Sequence, residues 1–129
     1  MEGHFSTDTI YYKDYLDSES LETLIDLMDG DEEILLDLIE TSLESNADLL
    51  AALIESVENQ DANGVREAAH SLKSSNGQVG ATAFADLCLS MEMMGKDGDV
   101  SSAPDLLEQV KFEADKVEKA LNSWKEELS

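Results

Sequence analysis

The sequence is poor in several residue types, and each shortage excludes a class of protein. It has one cysteine, Cys88, which excludes an internal disulfide and fits a reducing compartment. It has only 8 lysines and arginines against 30 aspartates and glutamates. The resulting net charge of −22 would repel nucleic acids and anionic membrane surfaces. No apolar run is long enough to cross a bilayer, and no signal segment opens the chain. We therefore expect a soluble, cytoplasmic protein without a nucleic-acid or membrane partner.

Proline, glycine and aromatic residues are scarce as well, and what remains is arranged for helices. The chain has one proline and seven glycines, and aromatic residues make up 5% of it. The apolar residues, 42% of the total, recur at spacings of three and four, which places them on one face of a helix. No stretch alternates with the period of two that marks a strand. A length of 129 residues suits one domain with a core of leucine, valine, isoleucine and methionine.

The N-terminal part of the chain differs from the rest. Residues 1–17 show no helical stripe and are predicted to form a tail, in which His4 is expected to be disordered. A short helix is predicted over about 18–29, with Ser18 or Ser20 as its N-cap.

Four longer helices are predicted to follow. Their starts are expected near Asp31, Asp61, Thr82 and Pro104. Gly80 is expected to end the second of them, and Gly95 the third. Short connections between long amphipathic helices favour antiparallel neighbours. The sequence therefore predicts an all-α, up-and-down four-helix bundle over residues 18–129, with a short extra N-terminal helix.

One of these helices carries the second histidine of the chain on its outer side. Its predicted buried face consists of Val65, Ala69, Leu72, Asn76 and Val79. The residues within one or two turns of the histidine, on the outer side, are Arg66, Glu67, Lys73, Ser74 and Gly77. No aspartate or glutamate occurs in the 18 positions from Ala68 to Ala85, where the average of the chain would place about four.

The surface around His70 suits a phosphorylated histidine. Neutral imidazole is a nucleophile near neutral pH because its unperturbed pKa lies at about 6.5. Lys73, together with Arg66, would offset the charge of a phosphoryl group, Ser74 would offer a hydroxyl, and Gly77 would leave room for a partner. The alternative is that His70 is an ordinary solvated histidine on a helix surface.

Other reactive centres find less support. Glu67 and His70 match one Glu-x-x-His element of a di-iron bundle, but such a site needs two of these elements and the only other histidine is His4. We therefore predict no metal site. Cys88 has no cysteine or histidine at ligand spacing and is predicted to lie in the core. In the phosphohistidine hypothesis, Glu67 would orient the ring or favour its protonated form.

The string AHSLKSSNGQVGA, residues 69–81, resembles the signature of histidine-containing phosphotransfer (HPt) domains. That signature runs His, any residue, Leu, Lys, Gly, Ser, a short run of small residues, an aliphatic residue and Gly-Ala. Residues 30–45, Cys88 and the pair Gly95-Lys96 also resemble the family, so that about residues 18–128 are covered.

The resemblance implies a role for each residue near the histidine. His70 would be the phosphoacceptor and Lys73 the cation that steadies its phosphoryl group. Gln78 and Lys96 would be candidates for further polar contacts. Ser74 departs from the family, which commonly has glycine there to give an incoming domain clearance; Gly77, one turn on, would compensate.

The resemblance also implies the reaction. A receiver domain would supply the aspartyl phosphate and the Mg²⁺, and this chain would supply the imidazole without a cofactor of its own. The protein would be a monomeric phosphocarrier between receiver domains, or between a hybrid sensor histidine kinase and a response regulator. The sequence has no glycine-rich phosphate loop, in agreement with a carrier that is not an enzyme and has no ATP site.

Three alternatives remain at this stage. The first is a pseudo-HPt adaptor that binds a receiver domain without being phosphorylated. The second is the phosphoacceptor module of a chemotaxis-type kinase, cut from a longer protein that continues into linker and ATP-binding domains. The third, an acidic helical scaffold, leaves the acid-free stretch around the histidine unexplained.

Overall fold

Six helices account for most of the computed structural model, which describes residues 9–129, and no strand occurs in this range. They are α1 Tyr12–Tyr15, α2 Ser18–Leu27, α3 Glu32–Glu58, α4 Ala62–Gln78, α5 Thr82–Asp97 and α6 Ala103–Leu128. The all-α prediction is confirmed. None of these helices combines the length and the apolar character that are needed to span a membrane.

Aspartate side chains set the start of three helices. The helices α3 and α4 begin close to the predicted positions, where Asp31 and Asp61 cap them by accepting hydrogen bonds from backbone N–H groups of the first turn. The N-cap of α2 is Asp17, not Ser18 or Ser20. Its carboxylate accepts from both the backbone N–H, at 2.9 Å, and the hydroxyl, at 2.8 Å, of Ser20. Ser20 therefore donates hydrogen bonds to the N-cap residue and is not the N-cap itself. The sequence pattern did not distinguish between these two roles.

The four long helices form the bundle that the sequence predicts. Each packs against two neighbours, in the cyclic order α3, α4, α5 and α6. The largest fully buried side chains include Trp124, Phe84, Ile39, Leu53, Leu72, Met91 and Leu121. All five residues of the predicted buried face of α4 lie in this interior. The outer face of the same helix therefore points to solvent.

The N-terminal segment is only partly the tail that the sequence predicts. Residues 1–8, including His4, lie outside the described residues. Residues 12–15 form the helical turn α1, and both Tyr12 and Leu16 are buried. The ring of Tyr12 stacks on Trp124 with 5.9 Å between centroids, and the backbone N–H of Tyr12 donates to Ser123 Oγ at 3.1 Å. One turn is too short to show a stripe, and contacts with α6 stabilise it.

A pair of asparagines joins α3 to α4 inside the bundle. Asn76 is buried, and its side-chain amide exchanges two hydrogen bonds with that of Asn46, at 2.9 and 3.1 Å. Asn76 also donates to the carbonyl of Leu72 at 2.8 Å. The pair satisfies polar groups that would otherwise be costly to bury.

Close packing between α4 and α5 depends on Gly95. A Cβ atom at this position would lie 2.6 Å from the carbonyl oxygen of Ala62 and 2.6 Å from the backbone nitrogen of Arg66. The predicted helix end at Gly95 is wrong, because α5 continues to Asp97 and its C-cap is Gly98, which has φ +80°. The absence of a side chain at Gly95 permits a close approach, which brings the preceding turn of α5 beside α4.

Candidate functional site

His70 lies on the outer side of α4, and one of its ring nitrogens is held by a residue of α5. Its side chain is 57% exposed, and Nδ1 lies 2.8 Å from Oε2 of Glu92. Glu92 lies one turn before Gly95, where a Cβ atom would meet the backbone of α4. The packing of α4 on α5 thereby places a carboxylate against the imidazole.

The same carboxylate binds the lysine that the sequence places beside the histidine. Oε1 of Glu92 lies 2.8 Å from Nζ of Lys73, and the Glu92 side chain is only 14% exposed. The Lys73 ammonium and, to a smaller extent, the His70 ring hold the pKa of Glu92 below its usual range, although partial burial acts in the opposite direction. Glu92 is therefore ionised at neutral pH and joins His70 to Lys73.

This arrangement fixes which nitrogen of the ring is reactive. An ionised carboxylate can only accept hydrogen bonds, so Nδ1 of His70 carries the hydrogen and donates it to Glu92. In the neutral ring the lone pair is then on Nε2. Within residues 9–129, Nε2 has no hydrogen-bond partner. The exposed side of the ring thus presents a nucleophilic nitrogen to solvent.

Two of the residues expected around the ring are directed elsewhere. Arg66 donates to Oδ1 of Asn63 at 2.8 Å and lies 3.9 Å from the carboxylate of Glu67. The side chain of Glu67 is 66% exposed, and within residues 9–129 no hydrogen bond or ion pair joins it to His70. The orienting role expected of Glu67 therefore belongs to Glu92, which reaches the ring from the neighbouring helix.

The remaining predicted residues are exposed on α4 and α5 and form no hydrogen bond or ion pair with the histidine in the described structure. Ser74 and Gly77 are exposed on α4, and a Cβ atom added at Gly77 would meet nothing within 4 Å. Gln78 is the exposed last residue of α4, and Lys96 is exposed in the last turn of α5. In the described structure no hydrogen bond or ion pair links these side chains to His70.

Glu92 is the one residue of the site that the sequence reasoning missed. A signal for it was present, because Glu92 is the only charged residue in the stretch 87–95, which otherwise carries the apolar face of α5. A lone carboxylate at the edge of an apolar face needs a partner. The identity of that partner depends on how α5 packs against α4.

No second reactive centre competes with His70 in the part of the chain that the structure describes. Cys88 is buried, and burial raises the pKa of its thiol to about 12, so the thiolate is not formed near neutral pH. No cluster of three histidine, cysteine, aspartate or glutamate side chains suitable for a metal occurs among residues 9–129. A groove of about 390 Å³ between α3 and α6, lined mostly by apolar residues, shares no residue with the histidine site.

Comparison with known proteins shows the family to which the chain belongs. Residues 37–125 match the Hpt domain, the histidine-containing phosphotransfer domain, and this range covers most of the chain. The chain belongs to the Hpt domain family. The match runs from the first turns of α3 to the end of α6, so it contains the whole histidine site, whereas α1 and α2 precede it.

A solved Hpt structure is similar over nearly its whole length. It is the histidine-containing phosphotransfer protein B (HptB) from Pseudomonas aeruginosa PAO1, with 27% sequence identity and a TM-score of 0.78. The alignment covers 88% of this chain and 96% of that one. None of the curated proteins matches this chain. Hpt domains are phosphocarriers, and this chain is a phosphorelay intermediate of that kind.

Proposed function

We propose that His70 accepts a phosphoryl group from the aspartate of a receiver domain and passes it to the aspartate of another. The observation that supports this proposal is the exposed ring of His70, which is held through Nδ1 by Glu92 and whose Nε2 has no hydrogen-bond partner among residues 9–129. The partners would be receiver domains of response regulators and of a hybrid sensor histidine kinase. We also propose that the carrier works as a monomer in the cytoplasm.

The chemical step needs few groups from this chain. The lone pair on Nε2 attacks the phosphorus of the aspartyl phosphate, an N–P bond forms, and the bond from phosphorus to the carboxylate oxygen breaks. The aspartate leaves as a carboxylate with the electron pair. The hydrogen on Nδ1 stays in its bond to Glu92, whose negative charge offsets the positive charge that the ring acquires. Mg²⁺ bound to the receiver would neutralise the oxygens in transfer.

Alignment and charge account for the rest of the step. Phosphoryl transfer depends mainly on holding the reacting groups in line and on neutralising charge. A rigid helix with one oriented imidazole provides the first. Lys73 would provide part of the second, because its ammonium binds the same carboxylate as the ring and could move from Glu92 towards the phosphoryl oxygens.

The test is the intact mass of the protein after incubation with phosphorylated receiver domains and Mg²⁺. The proposal expects one added phosphoryl group that is lost in acid, and peptide mapping should place it on the peptide that contains His70. Tight binding of a receiver without transfer would instead support the pseudo-HPt adaptor. A group that is stable in acid, or that maps elsewhere, would contradict the proposal.

Lys73 is expected to contribute charge to the transfer step. Replacing Lys73 with methionine keeps the apolar stem and removes the ammonium, and we expect transfer to slow by roughly tenfold or more. The phosphohistidine should also decay faster. Transfer reactions that are stopped at successive times measure both the transfer rate and the lifetime of the phosphohistidine. Lys111→Met is the matched control, since Lys111 also forms an ion pair, with Glu108, but on α6. Equal transfer rates and phosphohistidine lifetimes in the two variants would contradict the role proposed for Lys73.

Glu92 is expected to act as a positioning residue for the imidazole. In Glu92→Gln the amide can donate or accept, so the ring is no longer confined to the form with hydrogen on Nδ1. The transfer rate should fall, because part of the rings would carry the hydrogen on Nε2. The fall should be limited to roughly tenfold, because the ring itself stays in place. Nitrogen NMR of the neutral ring distinguishes the two forms and should show a new population with hydrogen on Nε2. An unchanged tautomer would contradict this role.

A further inference from the structure

The groove between α3 and α6 lies on the opposite side of the bundle from the phosphoacceptor. In the cyclic order of the helices, the contact of α3 with α6 is opposite the contact of α4 with α5, where His70 meets Glu92. The groove has a volume of about 390 Å³. We propose that it binds an amphipathic helix of another protein, whose apolar face is bordered by lysine or arginine.

Small side chains make room for such a partner. Ala47 and Ala51 line the groove from α3, and Ala114 lines it from α6. The buried ring of Phe84, from α5, also lines it, so the groove reaches inwards as far as the core. An exposed, mostly apolar groove of this size is typical of a binding site.

The lining favours a helix over an extended peptide. Along α3 it runs from Leu43 to Ile54, which at 1.5 Å per residue is about 16 Å, the length of three helical turns. Among the described residues of α3 that line the groove, only Asn46 is polar, and its amide is engaged with Asn76. An extended peptide would lack partners for its backbone on this side, whereas a helix satisfies its own backbone groups.

The α3 edge of the groove is purely negative. No lysine or arginine occurs between Lys13 and Arg66, so the charged side chains of α3 are all acidic. Glu44 is exposed, three residues before Ala47 of the lining, and therefore borders the groove. It forms no ion pair within residues 9–129. A cation from outside is needed to neutralise it.

The α6 edge also has a carboxylate to spare. Each lysine along this edge is paired with an acid, at N···O distances of 3.1, 2.7 and 3.4 Å: Lys111 with Glu108, Lys119 with Asp115 and Lys125 with Glu40. Glu118 lines the groove, is exposed and forms no ion pair in the described part of the chain. Cations on both sides of an apolar helix face would match the two edges.

Charge argues against the other occupants. A second copy of the chain carries the same net charge of −22, and nucleic acids and anionic membranes are negative as well, so all three are repelled. A cationic helix of another protein is attracted. Because the groove is opposite the contact of α4 with α5, a helix bound there leaves His70 exposed.

The first test measures the affinity of the whole chain for a helical peptide of leucine and lysine, about 14 residues long, by fluorescence anisotropy. A counterpart with glutamate in place of lysine should not bind. Ala51→Gln places an amide without a partner in the groove and should weaken binding by roughly tenfold or more. Ala52→Gln is the matched control, since Ala52 is also exposed on α3 but does not line the groove.

The second test separates the two edges from the overall charge. Glu44→Gln with Glu118→Gln should weaken binding by roughly fivefold or more, because both edges lose a carboxylate. Glu22→Gln with Asp26→Asn has the same net charge, but both residues are exposed on α2, so this control should bind like the wild type. Equal weakening in the two double variants would mean that the net charge alone holds the peptide, and would overturn the inference.

NMR then shows where the peptide binds. Backbone amide signals of α3 and α6 should change, and the ring signals of His70 should not. Changes centred on α4 and α5, equal affinities of Ala51→Gln and Ala52→Gln, or no binding to the wild type would overturn the inference. Nuclear Overhauser contacts of Leu50 with residues 1–8, or self-association that Ala51→Gln abolishes, would give the groove a different occupant and overturn it as well.

Discussion

Replacing His70 with glutamine should abolish phosphoryl transfer from a receiver domain without changing the fold. Glutamine has no nucleophilic ring nitrogen, so no N–P bond can form, whereas its amide can still donate a hydrogen bond to Glu92. The side chain is 57% exposed, and a substitution at such a position changes the free energy of unfolding by about 0.5 kcal/mol or less. Intact mass after incubation with a phosphorylated receiver measures the first effect, and thermal unfolding the second.

The chain supplies its own control for this experiment. It has two histidines, and His4→Gln should accept the phosphoryl group as fast as the wild type. Acid-labile phosphorylation that persists in His70→Gln and disappears in His4→Gln would show that the phosphoacceptor has been assigned to the wrong histidine. A loss of helical signal in His70→Gln would mean that the ring also supports the packing of α4 on α5.

Helical periodicity was enough to predict where His70 points. The five residues of the predicted buried face, from Val65 to Val79, follow one another at spacings of three and four and are all buried, and this local pattern defines both the inner and the outer face of the helix. The same reasoning places Lys73 next to His70, one turn along. Properties that depend on a single helix can therefore be predicted from the sequence with no knowledge of its neighbours.

The partner of the imidazole could not be predicted in this way. Glu92 reaches His70 across an interface, and the contact depends on the rotation of α5 and on its register against α4. Both are set by packing between the helices, to which the missing side chain of Gly95 contributes, and not by the pattern within either helix. For the same reason α1 was missed: its single turn depends on the stacking of Tyr12 on Trp124.

The dependence of the site on this interface leads to a second prediction with a large effect. In Gly95→Ala the new Cβ would be 2.6 Å from two backbone atoms of α4, closer than real Cβ atoms come, and backbone cannot rotate away. We expect the free energy of unfolding to fall by about 1–3 kcal/mol, although alanine is the better helix former. Because α5 must shift, Glu92 should also separate from His70, and transfer should slow. Chemical denaturation and the transfer assay measure the two effects.

Gly77→Ala adds the same methyl group to the interior of α4 and provides the matched comparison. Its Cβ would meet nothing within 4 Å, so the gain in helix propensity should raise the free energy of unfolding by about 0.5–1 kcal/mol. The two substitutions are thus expected to change stability in opposite directions, because only Gly95 lies in a helix–helix contact. If both variants were stabilised alike, α4 and α5 would have to pack less closely than the structure indicates, and the coupling of Glu92 to His70 through Gly95 would be wrong.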